Sequence, residues 1–129
     1  FLDNSRYMEL FKGLLKGDNV PHEALKIIKD RRLDIFKDRL VHIFSDISND
    51  MWTRYYALLA LGSFEDSSLF DILLKGLEDE NNIIKIGSLK ALSSLNDRRA
   101  LEFIRPYLNS EDEDIRAAAE SVLERFTDI

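Results

Sequence analysis

Histidine is the side chain best suited to move protons or bind a metal near neutral pH, and the sequence has two, His22 and His42. Neither belongs to a His-x3-His or His-Glu-x2-His pattern, so the spacing writes no ligand set and both read as ordinary surface or rim histidines. There is no cysteine to supply a nucleophile, a thiolate ligand or a disulfide. No Gly-rich phosphate loop and no Gly-x-Ser-x-Gly elbow occurs. Acidic side chains are plentiful, 24 in all, but general acid/base work needs two carboxyl groups in different environments within one cleft. No catalytic residue, cofactor site or metal site is assigned, and no enzyme is expected.

Two groupings of charge remain. Asp46 and Asp50, then Glu78-Asp79-Glu80, then Glu111-Asp112-Glu113-Asp114 recur at a near-constant interval and would form one acidic ridge if the segments stack. Carboxylates at helix N-termini are favourable by about 0.3–1 kcal/mol each, which explains such a ridge without a ligand; the alternative is a landing strip for a basic partner or a divalent cation. A basic cluster, Lys26, Lys29, Arg31, Arg32, Lys37 and Arg39, is interrupted by Asp30, Asp34 and Asp38 and reads as a solvated face laced with i,i+4 ion pairs. The net charge of −6 divides into +1 over residues 1–49 and −7 over 50–129. A nucleic-acid binder needs a positive footprint to displace counterions from phosphates, so that class is disfavoured.

The elements that must carry these groups are helices. Hydrophobic residues make up 45% and charged residues 33%, with only five Gly and two Pro, against disorder and against a turn-rich β protein. No apolar run reaches the roughly 18 residues that a membrane span needs, and a soluble, cytoplasmic protein is expected. The chain opens on Phe1 without a charged-then-apolar leader, which is expected of a processed or cut chain.

Residues 3–16 place Tyr7, Leu10, Phe11, Leu14 and Leu15 on one helical face, and Gly17-Asp18-Asn19 ends that helix. Pro21 suits the first turn of a short second helix, about 20–30, that buries Ala24, Leu25, Ile27 and Ile28. A third, about 33–46, carries Leu33, Phe36, Leu40, Ile43, Phe44 and Ile47 as its stripe. Beyond it the chain repeats: residues 50–62, 81–93 and 112–124 are versions of one another, with Arg54, Lys85 and Arg116 in one column at a spacing of 31. Small residues fall at Ala57, Ser88 and Ala119 and at Ala60, Ala91 and Val122, with Leu61, Leu92 and Leu123 beside them. A fixed period of this size marks a stacked array in which no unit can bury its apolar face alone. Short connections make successive helices antiparallel neighbours.

The runs from Leu77 to Leu92 and from Leu108 to Ala119 resemble HEAT repeats, nearest the short HEAT-like type named from phycobilisome lyases: a leucine, an acidic loop, Val-Arg, two or three Ala, then Leu-Gly. The resemblance implies an all-α, right-handed solenoid of about four hairpins and eight helices in a single domain, 1–129, with hairpins at about 3–31, 33–63, 66–95 and 97–127. In that family a loop Asp pairs with the Arg of the second helix; the corresponding positions are Ser48, Asp79 and Ser110, so Asp50 and Asp112 are alternatives in the outer two units. Pro106 alone matches the family's helix-kinking proline.

By the same resemblance the second helices line the concave face, in columns Trp52, Tyr55 and Leu59, then Ile83, Ile86 and Lys90, then Asp114, Ala117 and Ser121. An aromatic and aliphatic patch rimmed by charge suits a protein or peptide partner, possibly basic, anchored by Trp52, Tyr55, Leu59, Ile83 and Ile86 with Arg54 and Lys90 as polar partners. The plain alternative is that Trp52 and Tyr55 are core. Two other readings stay open: a chromophore-lyase-like accessory subunit with a small molecule in the same concavity, and a nucleic-acid binder through residues 26–39.

Overall fold

The computed structural model describes residues 4–16 and 19–127; the side chains of Arg6 and Tyr7 and the helix end expected at Gly17-Asp18 lie outside the described residues. The elements are α1 (Asn4–Lys16), α2 (His22–Arg31), α3 (Lys37–Ser45), α4 (Met51–Ser63), α5 (Phe70–Lys75), α6 (Asn82–Leu95), α7 (Ala100–Ile104) and α8 (Glu113–Thr127). They pack in sequential pairs, and α2, α4, α6 and α8 then pack side by side as one layer. This is the expected all-α array.

The second helices of the repeats are long and begin at repeating caps. Asp50 accepts from Trp52 N at 2.9 Å, Asn81 from Ile83 N at 2.8 Å, and Asp112 from Asp114 N at 2.8 Å. Each cap satisfies an amide that the first turn leaves without an intrahelical partner. The first helices are short and run into 3-10 turns, at Asp34–Phe36, Ser67–Leu69, Gly76–Glu78 and Arg105–Asn109. At α7 the cause is Pro106, which has no N–H to continue the α pattern beyond Ile104. At α5 the helix ends beside α6: the Ser88 hydroxyl donates to Leu73 O, and a Cβ on Gly76 would lie 2.7 Å from that of Ser88.

The small columns are where the layers meet. Ala57, Ser88, Ala119, Ala60, Ala91 and Val122 are all fully buried. At Gly62 an added Cβ would fall 2.6 Å from both Cα and O of Ala91, so α4 and α6 meet backbone to backbone there.

Three apolar residues leave the expected stripes. Ile47 is 82% exposed because α3 ends at Ser45 and Asp46 caps the next turn by accepting from Ser48 N, which places Ile47 in a loop. Leu10 and Ile27 are also exposed, while Phe11 and Leu15 of α1 and Leu25 and Ile28 of α2 take the core side. The helix ends hold a pattern that composition does not suggest. Arg32, Glu65 and Asn96 all adopt the left-handed conformation, at φ 50, 51 and 61°, in places where glycine is the usual choice.

Candidate functional site

The first turns of α4 present three aromatic rings in five residues. Trp52 stands edge-on to Tyr55 with ring centres 5.4 Å apart, and Tyr56 lies 6.3 Å from Trp52 and 5.3 Å from Tyr55. Consecutive positions on a helix are turned about 100° from each other, so the two tyrosines meet different neighbours. Tyr55 leans toward α6, where Gly87 makes room for its ring: a Cβ there would meet Tyr55 Cδ1 at 2.7 Å. Tyr56 leans toward α2, with the His22 ring 5.2 Å away and Lys26 Nζ 5.1 Å from its ring centre. Trp52 is left between them, 42% exposed.

Lys90 closes the α6 side. Its ammonium donates to the Tyr55 hydroxyl at 3.0 Å and sits 5.7 Å from the centre of that ring. Tyr55 itself is buried, so the ring that touches both the indole and the ammonium is held in place. Leu59, Ile83 and Ile86 are half-buried along the same two helices and pack on the core beneath. On α8 the column continues as Asp114, Ala117 and Ser121, all exposed.

Arg54 is placed elsewhere. Its side chain is only 10% exposed; Nε donates to Phe44 O at 2.9 Å and a terminal nitrogen to Asp79 Oδ2 at 2.8 Å. The guanidinium is spent on the interior, between its own hairpin and the next, and does not reach the surface with Trp52. Burial pushes the Asp79 carboxyl up, but the Asn81 amide and Arg54 outweigh it and the net direction is down. The pairing expected inside one unit therefore runs across units. Asp50 and Asp112 are not arginine partners: they cap α4 and α8, and Arg116 donates to Ser110 O at 2.9 Å. The Thr53 hydroxyl, against an opposing effect of burial, holds the Asp50 carboxyl below its ordinary range.

The basic cluster also resolves into cross-unit contacts rather than i,i+4 pairs. Lys37 meets Asp66 at 2.7 Å, Arg32 meets Glu65 at 3.3 Å, and Arg39 donates twice to Leu15 O. Lys26 pairs with Glu23 at 3.6 Å, one turn away. His22 joins the units as well, with Nε2 3.1 Å from Thr53 Oγ1 and 3.4 Å from Asp50 Oδ2. Among the described residues no group of three or more His, Asp or Glu is placed to hold a metal ion, and no helix is long and apolar enough to cross a membrane.

Residues 38–124, two-thirds of the chain, match the family model for HEAT repeats. The chain belongs to the HEAT-repeat family. Among curated proteins none matches it. In HEAT-repeat terms, α4 and α6 are the second helices of neighbouring units, and the aromatic group lies where those units join. The sequence alone did not point to Tyr56, and it placed His22 among the surface or rim histidines and Lys26 in the basic cluster, apart from Trp52. The signal was available in the i,i+4 spacing of Trp52 and Tyr56, which puts both on one side of α4.

Proposed function

We propose that this protein is a non-catalytic interaction module that holds a peptide or protein partner on the concave side of its second-helix layer. Trp52 is the anchor, Tyr55 and Tyr56 its supports, Leu59, Ile83 and Ile86 the apolar floor and Lys90 the polar contact. The observation that carries this reading is the exposure of Trp52 within a packed aromatic group. Exposed apolar residues scattered singly are ordinary on a protein surface. A half-exposed indole held by two tyrosines is different, because Trp and Tyr give a large contact area at low cost in side-chain entropy and dominate binding hot spots. The HEAT-repeat framework supports the same reading, since stacked helical pairs offer an extended surface.

The test is affinity capture by the wild-type chain, by Trp52→Ala and by Phe103→Ala, with captured proteins compared by mass spectrometry. Phe103 is 45% exposed, on α7, and serves as the control. Proteins lost with Trp52→Ala and kept with Phe103→Ala support the reading; capture indifferent to Trp52 removes it.

A further inference from the structure

The charge on α4 and α6 runs against the charge of the chain. Of 24 acidic residues, none falls in 51–64 or in 81–96, the stretches that hold the bodies of α4 and α6; the acid at the edge is Asp50, the N-cap of α4, engaged by Trp52 N and the Thr53 hydroxyl. The charged residues within the two stretches are all basic: Arg54, buried against Asp79, and Lys85 and Lys90. Lys90 is exposed, and among the described residues its one close polar partner is the neutral Tyr55 hydroxyl. Lys26, at the other edge, already carries Glu23. The Trp52 indole N–H likewise has no acceptor among the described residues. Ammonium and indole thus share the Tyr55 ring as a neighbour, each within 6 Å of its centre.

We infer that the occupant of this face is an acidic peptide segment, one that sets an apolar or aromatic side chain on Trp52 and a carboxylate against Lys90. The inference rests on the reading of this face as the binding surface and gives the partner its chemistry. A carboxylate arriving at Lys90 would have one cation to meet and no acid on α4 or α6 to repel it, whereas a basic segment would meet Lys90 itself. Glu78, Glu80 and Glu111 are exposed ahead of α6 and α8, and Glu113 and Asp114 in the first turn of α8, where they repel an acidic segment that strays from α4 and α6 and so favour the central register. A single-stranded nucleic acid could also stack on Trp52, but a binder of that kind tracks the backbone with a line of cations, and on α4 and α6 Lys90 alone among the cations is exposed.

The experiment is selection of random linear peptides against the full chain, followed by affinity measurement for wild type, Lys90→Glu and Trp52→Ala, with a dT oligonucleotide measured alongside. Lys90 is on the surface, so its reversal leaves the fold in place, as circular dichroism would show. The expected result is enrichment of peptides carrying Asp or Glu beside an apolar or aromatic residue, with affinity lowered about tenfold or more by Lys90→Glu and recovered when the peptide carboxylate is replaced by Lys. Trp52-dependent peptides that are neutral or basic, or that ignore Lys90→Glu, overturn the inference and leave the binding surface standing. A selection yielding no Trp52-dependent peptide overturns both. Oligonucleotide binding that is lost in Lys90→Glu, without acidic peptides, overturns it in favour of phosphate.

Discussion

Arg54 and Asp79 lie 25 positions apart in sequence and 2.8 Å apart in space, joining the second helix of one HEAT unit to the loop of the next. Both are largely buried, so the ion pair is held away from water while Arg54 also satisfies Phe44 O. Removing one member of such a pair leaves the other charge buried without compensation. Arg54→Met should lower unfolding stability by about 3 kcal/mol. In a double-mutant cycle with Asp79→Asn, the double variant should be less damaged than the sum of the singles. Strict additivity in urea melts would show that the pair carries no coupling.

The α4–α6 contact has no room for a methyl group. Gly62→Ala would press its Cβ on Ala91 Cα and O, which are backbone atoms that move only with the helix, and Ala91→Leu would wedge the same seam from the other side. Each should cost about 1–3 kcal/mol. Gly13→Ala is the control: nothing lies within 4 Å of its Cβ position, and replacing glycine inside α1 should raise stability by about 0.5–1 kcal/mol. Equal thermal shifts at the two glycines would contradict the packing described.

Gly87→Ala meets a ring instead of a backbone. The new Cβ would displace Tyr55, and with it the bond from Lys90 and the seat of Trp52. The expected outcome is a modest loss of stability with a larger loss of partner affinity, and a shift in the emission of Trp52, the chain's one tryptophan. An unchanged spectrum would mean that the ring did not move.

Asp66 reports on the clasp between units in its pH dependence. Its bond from Lys37, then those from the Ser68 hydroxyl and amide, lower its carboxyl to about 2, against an ordinary aspartate value of about 4. A depressed folded-state value means stability that is complete above the unfolded value and drains as pH falls from about 4 toward 2. Asp66→Asn should be less stable than wild type at neutral pH and show a flatter stability profile in that acid window. Parallel profiles would remove the clasp.

The periodic part of this architecture was legible because stacking repeats its demands. Ala57, Ser88 and Ala119 must all be small for the same reason, and a column of 31 exposes that reason without coordinates. Contacts across units were not legible. Arg54 finds its acid in the following loop, and no local spacing distinguishes that partner from one in its own unit. Ile47 keeps the helical rhythm of α3 although the helix has already ended, so periodicity alone overran the boundary. The left-handed ends at Arg32, Glu65 and Asn96 carry no glycine to announce them. Of the candidate site, Trp52 and Lys90 could be named from their columns. The burial of Arg54, by contrast, depended on the neighbouring unit.

The central claim is that a partner seats on the second-helix layer at Trp52. Hydrogen exchange of the chain alone and with its captured partner tests it most directly. Binding there should slow exchange over residues 51–59 and 83–90. Protection confined to the outer helices, 67–78 and 98–109, with the Trp52 segment unchanged, would contradict it.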